Sequence, residues 1–288
     1  MSGILRRFIR AFKEIFLEES PSKPPIKSYD VIGSREKAVA IIDVPEKWKK
    51  KEVEIAESIL KTNKNIRSVL KKSSKRKGKL RLREYELLLG DRNTKVVHKE
   101  YGCLIKVDPQ KAYFSPREGT ERSRLAEQVK AGETVMVMFS GVCPYAIQIA
   151  KKQPRVKKIL AIEMNPDAVE YAIENIKLNK IHEGKIIPIL DDVKDECPNH
   201  YGACDRVIMP LPTEAQNYLD IAVKCLQKEG GIIHYYSIGP KEDPYSKAAE
   251  TVDKVLKKLG KRYEILSQRK VLPYAPRIYK ICMEIKVY

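Results

Sequence analysis

Aromatic side chains are scarce, with one Trp and five Phe in 288 residues. A platform of stacked rings for single-stranded bases is therefore not evident. The six cysteines (Cys103, Cys143, Cys197, Cys204, Cys225 and Cys282) include no CxxC pair and no regular spacing. That argues against a disulfide frame or a zinc site and for reduced thiols in a cytoplasm. No other metal-ligand cluster stands out. No run of about eighteen uncharged apolar residues occurs, which rules out a transmembrane helix. The N-terminus alternates Arg with apolar residues and lacks the continuous apolar stretch of a secretory signal. Acidic charge is in deficit, at 38 Asp+Glu against 56 Lys+Arg, a formal +18.

Apolar residues make up 43% and charged residues 33%, enough for a globular core and too apolar for global disorder. The length suits one large domain or two modest ones. The charge is uneven: residues 1–110 carry a net +12 and residues 111–288 a net +6. Lys61 to Arg83 holds eleven basic residues and no acidic one. Such a stretch is either a solvated loop or a seat for polyphosphate, whose binding would be led by the backbone and steeply salt-dependent. A nucleic-acid partner fits this balance; a membrane does not.

Residues 3–19 predict an amphipathic helix, with Ile4, Phe8, Phe12 and Phe16 on one ladder. Its charge order opposes the helix dipole. Pro21, Pro24 and Pro25 then make a linker. Ala38–Ile42 reads as a strand, 46–61 as a helix opened by Pro45, and 66–70, 80–87, 94–98 and 103–107 as short strands. Together residues 28–110 form an expected small α+β module.

From residue 111 the pattern becomes α/β. Strands are expected at 134–139, 159–163, 186–190, 206–209 and 232–236, and helices at 144–152, 166–179, 213–228 and 243–259. The alternation predicts a mostly parallel sheet covered on both faces. Runs 262–267 and 277–287 have no helix between them and predict a terminal antiparallel hairpin. The expected organisation is 1–27 for helix and linker, 28–110 for the small module and 111–288 for the α/β domain.

Phe139, Ser140, Gly141 and Val142 form a small-residue turn between a strand and a helix. The next strand ends in Glu163, and a third in Asp191 and Asp192. All three ends lie on one sheet edge in a doubly wound fold. Glu163 there suits two ribose hydroxyls, and the aspartates an adenine edge. A turn with one glycine and no GxGxxG is a poor pyrophosphate cradle. A nucleoside without phosphates, such as S-adenosylmethionine, fits better. The plain alternative is an acidic strand end in a domain that binds nothing.

The string Asp108-Pro109-Gln110-Lys111-Ala112-Tyr113-Phe114-Ser115-Pro116-Arg117-Glu118-Gly119-Thr120-Glu121-Arg122 resembles the tRNA (guanine-37 N1) methyltransferases of archaea and eukaryotes. Further strings match in order over about residues 28–288, including Asn165-Pro166, Asn175-Ile176-Lys177-Leu178-Asn179, Asp205-Arg206 and Tyr274-Ala275-Pro276. The resemblance implies a class I, Rossmann-like methyltransferase domain behind a small RNA-binding domain, with S-adenosylmethionine as cofactor and the tRNA anticodon stem-loop as partner. It implies a cytoplasmic enzyme, read here as a monomer. Some members carry a further domain that reads the tRNA elbow; with only residues 1–27 ahead of the module, that domain is expected to be missing or reduced to one helix.

By the same resemblance Glu121 is the general base at guanine N1, and Arg81 stabilises charge on O6, with Arg83 as its rival in Leu80-Arg81-Leu82-Arg83. Tyr113 and Arg117 line the base pocket. Arg122, Phe139, Ser140, Gly141, Val142, Glu163, Met164, Asp191, Asp192, Val193 and Pro210 surround the cofactor. Three positions depart from the family pattern: Val137 for Asp, Cys143 for Gly, and Pro210-Leu211-Pro212 for Asn-Leu-Pro. Pro210 and Pro212 would lie against the target base, where proline offers no donor. Pro-Leu-Pro resembles an archaeal branch linked to wyosine-type tricyclic bases, some members of which methylate C7 of the tricycle. The expected activity is methylation of N1 of guanosine 37, alone or with C7. The alternatives are C7 activity only, a non-catalytic RNA-binding protein of the same fold, and a membrane-surface protein using residues 3–19.

Overall fold

The computed structural model describes residues 29–74 and 83–288. The expected helix over 3–19, the proline linker and Arg81 lie outside these residues.

The first sheet has the order β1 (Asp30–Gly33), β2 (Ala38–Ile42), β3 (Ile66–Lys72), β4 (Tyr85–Gly90), with only β2–β3 parallel. All five β2 residues are buried, because both faces of the strand are covered. Ala38, Ala40 and Ile42 meet Ile55, Ala56 and Ile59 of helix α1 (Glu52–Thr62). Val39 and Ile41, on the opposite pleat, join the main core. The helix expected over 46–61 is split. Glu46–Lys51 is a 3-10 turn that fully buries no side chain and touches the first core only through the partly buried Trp48. Strand β1 was not expected; it is four residues long, too short to show an alternation.

Strands β5 (Val96–Glu100) and β6 (Cys103–Val107) form a hairpin. It docks on helix α4 (Pro166–Leu178) through two asparagines one turn apart. Asn175 pairs with the amide and carbonyl of Lys106, and Asn179, just past the helix, does the same with Leu104. These side chains complete the free edge of β6 as a neighbouring strand would.

The second sheet has seven strands. They are β7 (Thr134–Met138), β8 (Lys158–Glu163), β9 (Ile186–Leu190), β10 (Arg206–Met209), β11 (Gly231–Pro240), β12 (Tyr263–Ala275) and β13 (Ile278–Val287), in the order β12-β13-β11-β10-β7-β8-β9. Every pairing from β11 through β9 is parallel, and β13 runs antiparallel to both β11 and β12. Alternate residues face opposite layers. Val135, Val137, Ile159 and Ala161 pack toward α2 (Gly119–Gln128), α3 (Pro144–Lys152) and α4. Met136, Met138, Leu160 and Ile162 pack toward α6 (Leu219–Cys225) and α7 (Ser246–Lys258); the short helix α5 (Val193–Glu196) follows β9. Val137, where an acid was the family expectation, is wholly buried between β8 and β10.

The terminal hairpin forms as expected, but its first strand runs on to Ala275. Bulges near Leu266, Val271 and Tyr274 let the strand bend past its polar stretch. Arg277, with φ 58°, closes the turn.

Candidate functional site

Connection β7→β8 runs to one side of β7, and the chain later returns to its other side as β10. The strand order reverses there, and the crevice at such a point is where α/β sheets bind ligands. A cavity of about 770 Å³ opens at this place, lined by the ends of β7, β8, β9 and β10 and by residues of the first sheet.

The turn after β7 is tightly wound. Phe139, Gly141 and Cys143 all have positive φ, at 54°, 54° and 63°. The left-handed conformation costs a non-glycine residue about 1–2 kcal/mol, which explains why glycine is the family pattern at position 143. Such strain tends to gather at ligand sites. Gly141 donates its amide to Oε2 of Glu163 at 2.8 Å, and Asn165 donates to Oε1 at 2.9 Å. Burial raises the Glu163 carboxyl above its ordinary value, against the pull of these amides. A Cβ on Gly141 would come no closer than 3.6 Å to the Tyr113 carbonyl, so the backbone leaves room on the cavity side. Asp192 caps α5 by accepting from the Lys194 amide with Oδ1, which leaves Oδ2 for a ligand. Asp191, Val193 and Met164 complete this end, and Phe139 packs edge-on against Tyr218 with centroids 4.9 Å apart. Two acidic strand ends beside a turn with a single glycine fit the nucleoside part of S-adenosylmethionine.

The other end is built from both sheets. Asp30, Lys72, Arg83, Tyr113, Arg117, Glu118, Arg122, Pro210, Pro212, Tyr274 and Lys280 all line it. Arg117 reaches across to Asp30 of β1. Arg83 brings a buried Nε with no partner among the described residues. Pro210 and Pro212 line the cavity and, as prolines, present no donor.

Two expected residues are differently engaged. Glu121 is buried but does not line the cavity. It accepts both Nε and Nη2 of Arg124, at 2.9 and 2.6 Å, and the Tyr236 hydroxyl at 2.8 Å. Arg269 stands 3.5 Å away. Arg122 lines the cavity, yet its Nε and Nη2 bind Glu100 of β5 at 2.7 and 2.6 Å, and Nη2 also donates to the Ser115 carbonyl. This guanidinium clamps the β5–β6 hairpin to α2. Lys71 is also engaged: Glu52 and Glu86 hold it at 2.8 and 2.7 Å. The basic stretch is therefore partly neutralised from within, and residues 75–82 lie outside the described residues.

Sequence reasoning missed Glu118, Lys280 and the tip of β12. Glu118 accepts Lys280 Nζ at 2.8 Å across 162 positions of sequence, a pairing no local pattern announces. Tyr274-Ala275-Pro276 stood in a matching string, and that was the one available signal for the β12 tip. All six cysteines are buried free thiols. Among the described residues no group of His, Cys, Asp and Glu is arranged to hold a metal, and no helix is long and apolar enough to cross a membrane.

Comparison with known proteins shows what the chain is similar to. Residues 96–266 match the TRM5/TYW2 methyltransferase domain, and residues 13–94 match the TYW2 N-terminal domain. The tRNA (guanine(37)-N(1))-methyltransferase Trm5b of Pyrococcus abyssi is 39% identical over 260 residues, covering 90% of this chain and 74% of that protein. The tRNA(Phe) (4-demethylwyosine(37)-C(7)) aminocarboxypropyltransferase of Methanocaldococcus jannaschii is 33% identical, covering 82% of this chain and 91% of that protein. Among solved structures, the complex of aTrm5 with tRNALeu aligns with a TM-score of 0.79 at 37% identity over 98% of this chain and 78% of that one. Pyrococcus horikoshii TYW2 in complex with MeSAdo aligns with a TM-score of 0.79 at 28% identity over 98% of this chain and 99% of that one.

Proposed function

The chain belongs to the TRM5/TYW2 methyltransferase family, and from that premise we propose that it transfers a methyl group from S-adenosylmethionine to N1 of guanosine 37 in tRNA, beside the anticodon. One observation carries this reading. A single cavity joins the acidic ends of β8 and β9 to the cationic and aromatic groups of Arg83, Tyr113 and Arg117.

When bound, S-adenosylmethionine supplies an electrophilic methyl on sulfur. Glu163 accepts from its ribose hydroxyls, and the amide bonds from Gly141 and Asn165 fix that carboxylate in place. Asp191 and Asp192 face the adenine amine. Phe139, Ser140, Met164 and Val193 close the pocket; Val142, expected there too, is wholly buried in the core behind the turn and does not reach the cavity. At the other end Tyr113 and Arg117 bracket the target base, with Pro210 and Pro212 as an apolar wall. Arg83 stabilises negative charge on O6 as N1 loses its proton; its Nε, without a partner among the described residues, supports this assignment, and Arg81 is the rival. Glu121 is assigned the N1 proton by the resemblance. In this structure it is held by Arg124 and Tyr236 and does not line the cavity, so its approach to N1 requires the side chain to move. The rest is alignment of acceptor, methyl and sulfur. Residues 28–110, with their excess of basic charge, grip the anticodon stem-loop, and 111–288 perform the transfer. We assign the enzyme to the cytoplasm as a monomer; sedimentation of the purified chain tests the latter.

A second reading is modification of C7 of the wyosine-type tricycle. The TYW2 N-terminal match and the Pro210-Leu211-Pro212 wall favour it. Incubation of the enzyme and labelled cofactor with unmodified transcript, and separately with tRNA carrying the tricycle, tests the proposal. Label on the transcript supports N1 activity, and label on the tricycle alone replaces it with C7 chemistry.

A further inference from the structure

The cavity that Pro210 and Pro212 line also holds an ion pair that the proposed chemistry has not used. Glu118 is 6% exposed and Lys280 2% exposed, and both line the cavity. Lys280 Nζ donates to Oε2 of Glu118 at 2.8 Å. The Tyr113 hydroxyl donates to Oε1 at a longer 3.3 Å. Lys280 also sits over the Tyr236 ring, 4.8 Å from its centroid. Burying two charges is costly, and an ion pair is weak evidence of stabilisation when an apolar pair would serve. A carboxylate offers about four lone-pair sites, so this one retains capacity toward the cavity. Burial opposes its charge, but Lys280, Arg122 and Tyr113 together hold it below the usual carboxylate value. It is therefore an acceptor across the neutral range.

Resting on the reading of guanosine 37 as the methyl acceptor, we propose that Glu118 determines base specificity. Its carboxylate accepts hydrogen bonds from the exocyclic amine of the target guanine, and Lys280 is the positioning residue that holds it there. The chemistry of the bases makes this selective. Guanine carries a free amine beside N1, whereas a tricycle built across N1 and N2 has tied both nitrogens into its third ring. Inosine differs from guanosine only by lacking the amine. The wall of Pro210 and Pro212 cannot supply a side-chain partner, so Glu118 provides the polar fixation that an asparagine would otherwise give.

The test compares kcat/KM on tRNA transcripts carrying guanosine or inosine at position 37. The intact enzyme is expected to prefer guanosine by about tenfold or more, the loss typical of an unpaired buried acceptor. The double variant Glu118→Met/Lys280→Met leaves no unpaired charge and is expected to bring the ratio close to one. Lys280→Met alone should lower the ratio, and Lys280→Arg should restore part of it. Calorimetry with S-adenosylmethionine checks that each variant is folded, and Glu118→Leu/Lys280→Leu, which likewise offers no acceptor and no stranded charge, replaces the double variant if it is not. A guanosine preference that survives in the folded variants overturns the proposal while leaving the methyltransferase reading intact. An intact enzyme without preference overturns it as well. No methylation of the guanosine transcript by the intact enzyme overturns the reading on which it rests.

Discussion

The amide of Gly141 donates to the Glu163 carboxylate at 2.8 Å, which ties the turn after β7 to the end of β8. Two positions 22 residues apart in sequence thus make one rigid edge of the cofactor pocket. The bond accounts for the conformation of the turn as well as its place. With Phe139, Gly141 and Cys143 all left-handed, the backbone amide is aimed across the crevice at the neighbouring strand.

Glu163→Ala should therefore weaken S-adenosylmethionine binding by about 10- to 100-fold. Calorimetry at neutral pH reads this directly. The pH dependence has a definite sign. Burial raises the Glu163 carboxyl, so protonation begins at a higher pH than for an exposed glutamate. Affinity should fall as pH is lowered, beginning above the ordinary carboxylate range, and Glu163→Gln should lack that pH dependence.

Arg122→Ala should destabilise the fold more than it perturbs any ligand. Its guanidinium makes a two-point contact with Glu100, and the side chains are 2% and 5% exposed. Removing one partner strands a buried charge, at a cost of about 3–5 kcal/mol. Denaturant unfolding measures it, and the double variant Arg122→Met/Glu100→Gln should recover part of the loss.

The native thiols should resist iodoacetamide at mildly alkaline pH. Burial pushes Cys143, Cys204 and Cys282 each to about 12, and the thiolate is the reactive form. Mass spectrometry after labelling should find them unmodified in the folded chain and alkylated once it is unfolded.

Much of the α/β half was legible. Helix 144–152 and strands 186–190 and 206–209 fall where the periodicity put them, because each is a run with one consistent period. Glu163 was legible because strand ends share an edge in this topology. The engagement of Glu121 was not, since its partner Tyr236 lies 115 residues away. Nor was the Glu118–Lys280 pair. Both need a contact between α2 or its lead-in and the central strands, and single-sequence periodicity carries no information on such pairings. The length of β12 was missed because Ser267, Gln268, Arg269 and Lys270 interrupt its apolar pattern, and the bulges that accommodate them leave no local signature.

Charge on the first module should govern tRNA affinity. Neutralising Lys75, Arg76, Lys77 and Lys79 together should weaken binding at low salt and reduce the salt slope by about three. Filter binding over a salt series measures both. An unchanged slope would remove this stretch from the phosphate contacts and leave them to other basic residues.

The central claim is chemical, and nucleoside mass spectrometry tests it most directly. Unmodified tRNA transcript with guanosine at position 37 is incubated with enzyme and S-adenosylmethionine, digested, and the modified nucleoside identified. The account predicts 1-methylguanosine at position 37. Unchanged guanosine, from an enzyme that binds the cofactor and the tRNA, would contradict it.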